Sequence, residues 1–488
     1  MRVVDRNITW LFLSQVATWT ISVVMLVMVP RRLGDVDFGR TEFAFAFVGF
    51  FGLAAGLGTS TFIVKTTARD TSRVGPYVFN ALIMKLLLIA SLFGVALGMA
   101  HVLGYPGETI VIIAVAYIGM AFTTLNETLV AGLQGEQRMG KPAAWEVVRE
   151  YVSCAAALAV LATHKGVLAY AFALNCAGVI PVVANGVQLW PRLRKGMHID
   201  LRLWKSLVLG GLPFLLWSAA LLIYGSIDIP MLASMAGNAT VGWYILAYKW
   251  VGLPTFFASI VVTAALPSLS AHGVEISPAF ITMANRALRL VLFVGVPIAT
   301  GIALVAGDVM MLLHYHSGFD HAVPLMRILA LHIPVVGMDM VLGTVLIASD
   351  RQRQWVIVGC LAAILNPLLN LIAIPLSIRI FGNGAIGASI ITVVTELTMM
   401  VGAIYLRPRG VLDLATTGYL SRCVAASLPM IPAVLVCGGL WLPAKIAVGM
   451  VVYALSSLVL RTVSVRDVHR SGLQFLDLVR LRSISTTP

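Results

Sequence analysis

The sequence predicts an all-α polytopic membrane protein of fourteen transmembrane helices, in two sets of six followed by two more. Three observations predict this: the composition, the recurrence of apolar runs of spanning length, and the asymmetry of Lys and Arg between alternate loops. The 488 residues are 59% hydrophobic and 11% charged, with a mean hydropathy of +0.94. Soluble domains average about 45–50% apolar and about 25% charged residues. So little polar surface excludes a soluble enzyme, a nucleic-acid binder and a disordered chain. The net charge of +13 lies in short tracts between apolar runs, as expected of loops beside an anionic inner leaflet.

The apolar runs fall near 8–30, 41–64, 78–103, 108–133, 147–163, 166–190, 206–235, 240–265, 287–306, 324–348, 356–379, 385–406, 421–440 and 443–462. Hydrocarbon offers the backbone no hydrogen-bond partner, so each run is expected to be a helix. The first run is long enough to span and does not read as a cleavable signal peptide. Of the 34 Lys and Arg residues, only Arg31, Arg32, Arg40, Lys165, Arg379 and Lys445 fall in the loops of one side. Lys85, Lys249 and Arg327 lie inside runs, and all the rest lie on the other side, with both termini. The positive-inside rule makes that side cytoplasmic. Cys154, Cys176, Cys360, Cys423 and Cys437 sit inside apolar segments without a C-x-x-C pair, and read as packing residues.

The basic stretch PRLRKGMHIDLRLWKS separates the first six runs from the next six. The expected organisation is an N-lobe over 1–190, a cytoplasmic linker over 191–205, a C-lobe over 206–406, helices 13 and 14 within 407–462, and a basic cytoplasmic tail over 463–488. A shift of 203 residues superimposes Gly34 on Gly237, Gly39 on Gly242, Ala44 on Ala247, Val48 on Val251 and Gly49 on Gly252. Two six-helix repeats are a recurring transporter plan, with substrate held between them near the midplane. In the tail, Leu473, Leu476 and Val479 share one helical face amid Arg466, Arg470, Arg480 and Arg482. That pattern fits either a helix lying on the inner leaflet or a partly ordered basic tail.

Ionisable groups at bilayer depth are costly and face the protein interior or a wet cavity. Here they are Lys85 and Glu127 in the first half, and Asp228, Lys249, Asp339 and Glu396 in the second, with Arg327 and Glu42 nearer the outer ends. Lys85 lies within snorkelling reach of the cytoplasmic end, so both a structural and a binding role stay open. Asp339 and Glu396 lie near mid-helix, where a short carboxylate cannot reach water. Lys249 has Ala46 as its counterpart in the repeat. It could pair with Asp228 structurally; alternatively it contacts an anionic head group while Asp228 takes a proton or sodium ion. Arg31 and Arg32 at the outer end of the first run could cap it or pair with Asp35 and Asp37; equally, they could line a phosphate-attracting mouth. Gly210, Gly211, Pro213 and Pro230 concentrate helix breakers in the seventh run, the expected hinge. The outward segment HYHSGFDH, with His314, His316, Asp320 and His321, reads as a wetted loop rather than a metal site. No Walker A, H-E-x-x-H or G-x-S-x-G motif occurs, so an ATP-driven pump or membrane hydrolase lacks its machinery.

The stretch from Asn7 to Arg69 resembles the start of the bacterial polysaccharide and O-antigen flippases, with a turn at Arg32, Leu33, Gly34, Phe38 and Gly39 and an exit from Lys65 to Arg69. The second half is similar to the family's Asp-bearing seventh helix and the segment after it, through Asp228, Gly242, Tyr244, Ala247 and Lys249. This resemblance implies two six-helix lobes around a V-shaped central cavity. It implies a non-enzymatic protein of the bacterial inner membrane that moves a polyprenyl-diphosphate-linked oligosaccharide to the outer leaflet. A proton or sodium gradient would drive the step, with no cofactor and no metal. The lipid-linked oligosaccharide, the phospholipid bilayer and a polysaccharide polymerase machinery are the implied partners, and nucleic acid is not one. A diphosphate crossing hydrocarbon needs cations and its sugars need polar walls. Lys249, Lys85, Arg327, Arg31 and Arg32 are the candidate diphosphate contacts. Asp228, Asp339, Glu396 and Glu127 are the candidate coupling carboxylates, and Asn126, Gln134 and Asn366 the candidate sugar contacts. The first lobe has no deep arginine on its first two helices, which leaves Arg31 and Arg32 at the rim to serve there. The same superfamily offers two alternatives, a cation-coupled multidrug exporter and a lipid II flippase. A glycan-polymerising enzyme is disfavoured because every outward loop is short.

Overall fold

A computed structural model of the chain describes residues 2–272, 276–315 and 317–462. The basic tail, with its amphipathic stretch, and His316 lie outside the described residues. Among those residues the regular structure is helical throughout. The first half holds α1 (Arg2–Gly56), α2 (Thr59–Thr67), α3 (Val74–Val102), α4 (Gly107–Gly135), α5 (Gly140–Ala162), α6 (Gly166–Cys176), α7 (Val179–Leu193), α8 (Leu201–Ser226), α9 (Asp228–Ala236) and α10 (Asn238–Gly252). The second holds α11 (Thr255–His272), α12 (Pro278–Leu312), α13 (Ala322–Leu329), α14 (His332–Ala348), α15 (Gln352–Phe381), α16 (Gly384–Leu406), α17 (Leu414–Ser427), α18 (Met430–Val436) and α19 (Leu442–Val459).

By length and hydropathy ten described helices can cross a membrane, or twelve when two bent pairs each count as one span. Two local causes separate this figure from the fourteen apolar runs. The first two runs share α1, which runs on through a break at Gly34, where φ is 75°. The second run then continues past Gly58 (φ 65°) into α2. The fifth run lies on α5, whose Glu146, Arg149 and Glu150 lower its hydropathy. The two bent pairs are α10 with the start of α11, at 43°, and the segment 318–329 with α14, at 46°.

The chain forms two compact units. Unit 1 comprises Met1–Leu246, Leu313–Ala322 and Gly359–Ile391. Its core gathers Ile63, Val78, Leu133, Leu189 and Leu207 from α2, α3, α4, α7 and α8. Unit 2 comprises Ala247–Leu312, Val323–Val358 and Thr392–Pro488. Its core is built on α11, α12 and α14, around Leu269, Phe280, Leu288, Leu292, Leu342 and Leu346.

The internal repeat has a physical counterpart in unit 1. A Cβ on Gly39 would lie 1.8 Å from the Asn238 carbonyl oxygen, and one on Gly242 would lie 2.2 Å from that of Asp35. Asp35 and Asn238 are themselves related by the same shift of 203 residues, so the two contacts are reciprocal. Gly34 and Gly237, also related by it, both take positive φ (75° and 87°) to turn the chain into these contacts. A second echo lies in the links that follow each six-run set. Fully buried Asn80 on α3 donates to the His198 carbonyl (3.0 Å) and accepts from the Asp200 N–H (2.9 Å) and Trp204 Nε1 (3.0 Å). In unit 2, Asn285 on α12 donates to the Gly410 carbonyl (2.9 Å) and accepts from the Leu412 N–H (2.7 Å). Each asparagine satisfies backbone groups that a loop at a membrane boundary would otherwise leave unpaired. Asp200 and Asp413 then cap the helices that follow.

In the segment expected to be a wetted loop, His314, Asp320 and His321 are exposed, while its two aromatics pack inward. Tyr315 donates to the Leu26 carbonyl at 3.1 Å, and Phe319 is fully buried with its ring 6.1 Å from that of Phe38. Trp243 donates to Asp35 Oδ2 at 2.8 Å and its ring lies 4.3 Å from His321. Tyr315 and Phe319, the latter on the short helical turn Ser317–His321, supply apolar area that the polar neighbours mask in the sequence.

The glycine contact sets a stability test. Ala in place of Gly inside an open helix is worth up to about 1 kcal/mol in favour of folding, whereas overpacking costs about 1–3 kcal/mol. Gly39→Ala is therefore expected to lower the thermal midpoint of the purified protein in detergent. Gly49→Ala, which meets nothing within 4 Å, is expected to leave it unchanged or raise it.

Candidate functional site

In unit 1, Asp228 opens α9, which follows α8 after Ile227, itself in helical conformation, so the two run nearly as one helix. Asp228 is 4% exposed. The Tyr244 hydroxyl donates to its Oδ2 at 2.7 Å and the Asn370 amide to its Oδ1 at 2.7 Å. The same Asn370 nitrogen reaches Asn366 Oδ1 at 2.8 Å, and the Asn370 carbonyl oxygen is buried with no hydrogen-bond partner among the described residues. One carboxylate and two buried amide oxygens thus converge at one place. Asn366, expected to touch sugar, is buried inside this group.

A second polar group of unit 1 lies around α4. Lys85 is fully buried and does not snorkel: its ammonium donates to Thr128 Oγ1 (2.7 Å) and Ser60 Oγ (3.2 Å), within electrostatic reach of Glu127. Glu127 itself is solvent-accessible. It lines a pocket of about 310 Å³ with Asn126, Gln134, Glu146 and Arg149. Two expected sugar contacts and one expected coupling carboxylate therefore meet in one cavity between α4, α5 and α7. Glu146 just precedes the fifth apolar run and Arg149 lies in its first turn, where both pass for boundary charge; their signal is the triad Glu146, Arg149, Glu150 at helical spacing.

In unit 2, Asp339 on α14 is buried, and neither carboxylate oxygen has a hydrogen-bond partner among the described residues. Glu396 is buried too, 3.8 Å from His332 Nδ1, on the α14 face that also carries Asp339 one heptad later. His332 lies within the tenth run and opens α14; its nearness to Glu396 is a tertiary contact with no local signal. Lys445, assigned to an outer loop, is buried against Asp308 at 2.6 Å. The remaining expected cations are accessible: Lys249 on α10, Arg327 on α13, and Arg31 and Arg32 on α1 before the break at Gly34. Asp37 pairs with Arg40 (3.2 Å), which also reaches Glu108 (2.9 Å), while Asp35 holds Trp243. Among the expected hinge residues, Gly210 and Gly211 pack α8 against Phe62 and the Leu57 carbonyl, and α8 continues through Pro213. Pro230 lies in the first turn of α9, which begins one helical residue, Ile227, beyond the end of α8. Among the described residues no three His, Cys, Asp or Glu side chains group to hold a metal ion.

A family model described as polysaccharide biosynthesis protein matches residues 4–272. The chain belongs to this family. No match was found among curated proteins. Solved transporters share the fold. The lipid II flippase MurJ, in an inward closed conformation, aligns with a TM-score of 0.75 at 15% identity, over 92% of this chain and 98% of that one. An inward-facing multidrug resistance MATE family transporter of the MOP superfamily aligns at 0.62 and 16% identity, over 83% and 99%. A MOP superfamily transporter from Pyrococcus furiosus Vc1, described as having a binding pocket of reverse polarity, aligns at 0.53 and 17%, over 85% and 95%. The polysaccharide biosynthesis protein described here is thus an integral multi-pass membrane protein whose fold these solved transporters share.

Within this protein the Asp228 group can be tested energetically. A hydrogen bond to a charged partner contributes about 1.5–3 kcal/mol. A double-mutant cycle of Asp228→Ala and Asn370→Ala, read by unfolding in detergent, is expected to give a coupling energy in that range. A coupling near zero would remove the bond from the account.

Proposed function

We propose that this protein flips a polyprenyl-diphosphate-linked oligosaccharide from the cytoplasmic to the outer leaflet of the bacterial inner membrane, for cell-surface polysaccharide synthesis. Both termini lie in the cytoplasm, and an ion gradient drives alternating access. The observation that supports this most is family membership combined with an accessible cation, Lys249, well inside a spanning segment. A diphosphate in transit needs such a charge, because an unpaired anion in hydrocarbon is costly. The lipid II flippase, which carries out a related step, shares the fold over nearly the whole chain.

Coupling falls to the buried carboxylates. Asp228, with the Asn366 and Asn370 amides beside it, offers oxygen ligands of the kind a sodium ion takes. Asp339 has no described hydrogen-bond partner and needs a proton or a cation to remain buried. Such groups bind ions in one conformation and release them in the other, which is how a gradient biases a two-state transporter. A polymerase machinery on the outer face would then consume the flipped glycan. The second reading is a cation-coupled drug exporter, favoured by the MATE fold and by Asp339 and Glu396. Lys249 opposes it, since an organic cation is repelled there.

The deciding assay uses liposomes containing the protein and a fluorescent polyprenyl-diphosphate oligosaccharide, with an impermeant quencher outside. Protein-dependent, gradient-sensitive change in quenching is expected. No flipping, with gradient-driven uptake of a cationic dye, would favour the exporter. Lys249→Ala is expected to lower flipping at least about tenfold, the loss of about 1.4 kcal/mol of head-group contact, with normal membrane insertion. Undiminished flipping would remove Lys249 from the passage. Asp228→Asn is expected to abolish the dependence on the gradient while leaving residual downhill flipping.

A further inference from the structure

We propose that the pocket between α4, α5 and α7 binds one sugar residue of the transported glycan, and that it selects neutral or amino sugars over acidic ones. This rests on the flippase reading above and adds to it a class of glycan and a place where the glycan is read.

Geometry and charge both point to a sugar. The cavity, about 310 Å³, is within the range of small-molecule sites and far larger than a bare ion requires. Its polar groups are planar amides, carboxylates and a guanidinium, which together alternate donors and acceptors as a ring of hydroxyls does. The Asn185 amide donates to Asn126 Oδ1 at 2.9 Å, which occupies that oxygen and leaves the Asn126 NH₂ to donate to a ligand. Gln134 supplies both a donor and an acceptor, and Glu127 supplies accessible acceptors. Phe122 adds an apolar face of the kind that stacks on the C–H side of a pyranose ring. Glu127 lies eight residues from the end of α4 at Gly135, about 12 Å at 1.5 Å per residue. An accessible carboxylate at that depth needs water or a polar ligand beside it.

The balance of charge sets the selectivity. Arg149 donates through Nε (2.9 Å) and Nη2 (2.6 Å) to Glu146 Oε1, and through Nη2 to Glu150. Its charge is thus already matched, and Glu146 also acts electrostatically on Glu127. Lys85 acts on Glu127 from behind the pocket, so three carboxylates, Glu127, Glu146 and Glu150, stand against one guanidinium and one ammonium; the remaining negative charge disfavours a diphosphate or a uronic acid. A hydroxyl or an ammonium group on the sugar is accepted, because carboxylates take hydrogen bonds from both.

The test uses the full-length protein in detergent micelles and simple probes. Thermal unfolding is followed with millimolar methyl glucoside, methyl glucosaminide or methyl glucuronide, and in parallel with sodium chloride or tetraphenylphosphonium. The first two glycosides are expected to raise the midpoint and the glucuronide to leave it unchanged. Asn126→Ala and Gln134→Ala are each expected to weaken the effective affinity about tenfold, the loss of one hydrogen bond of about 1.4 kcal/mol. The double variant Glu127→Gln with Glu146→Gln is expected to admit the glucuronide. The proposal is overturned if no glycoside stabilises the wild-type protein, if the glucuronide stabilises it equally, or if only the cations do. Because wild-type selectivity decides the matter, poorly folding variants do not blur it. Flipping in liposomes is read separately: glycoside binding without flipping would remove the flippase reading and keep the pocket, and flipping without glycoside binding would do the reverse.

Discussion

Hydrocarbon tolerates no unpaired polar group, and that constraint sorts the ionisable side chains of this protein into two classes. One class is buried and paired. Asp228 holds Tyr244 and Asn370, Lys85 holds Thr128 and Ser60, and Lys445 holds Asp308. These groups stabilise particular helix contacts, and any movement that separates them must supply a replacement partner. The other class is accessible at bilayer depth and includes Lys249 and Glu127. A charge of that kind is open to water or a ligand on one side whatever it meets on the other, as Glu127 is with Lys85 behind it. Asp339 fits neither class, which is why it needs a proton or a cation.

The duplicated scaffold explains how such charges are tolerated. Gly39 and Gly242 let the two related turns approach backbone to backbone, each glycine against the residue whose repeat partner faces the other. No side chain intervenes, so dispersion across a small-residue contact holds the pair where lipid supplies no hydrophobic drive between helices. The asparagine clamps, Asn80 and Asn285, repeat the same logic at the chain links. The contents of the two halves differ, however. Lys249 corresponds to Ala46, and nothing in the second half matches the Glu127, Glu146 and Arg149 pocket by the same shift. A symmetric frame with asymmetric polar contents lets the two ends of an unsymmetrical substrate be recognised by different groups.

Helix content, the runs and the repeat were legible because each rests on periodic composition, which survives in sequence. Single backbone events were less so. The break at Gly34 inside one long helix follows from a single positive φ, and a window of hydropathy averages over it. Glu146, Arg149 and Glu150 read as loop charge because their mutual pairing, which makes them tolerable on α5, is a matter of side-chain geometry. Asn126, Glu127 and Gln134 were visible as polar interruptions of an apolar run. That they share one cavity depends on how α5 folds back beside α4 and on α7, which follows only after α6. The segment 314–321 looked wet by composition, and its packing is decided by Phe319 meeting Phe38 across more than 280 residues. Long-range pairings of that sort leave no local trace.

A lipid-linked oligosaccharide joins an anionic diphosphate to a polyhydroxyl chain, and no single pocket suits both. A site cationic enough to hold the diphosphate in a dry passage also attracts any acidic glycan, and so cannot discriminate among sugars by charge. Carboxylates placed close to the cation would quench its attraction for the head group, since opposite charges a few ångströms apart largely cancel. Discrimination by charge therefore requires that the acidic groups sit on helices other than those bearing the cation. On the flippase reading, Lys249 lies on α10, whereas Glu127 and Glu146 with their amide neighbours lie on α4 and α5. Glu146 and Glu150 accept hydrogen bonds from the Arg149 guanidinium. Head-group and sugar contacts then fall to different residues, so that substitution in one set is expected to leave the other in place.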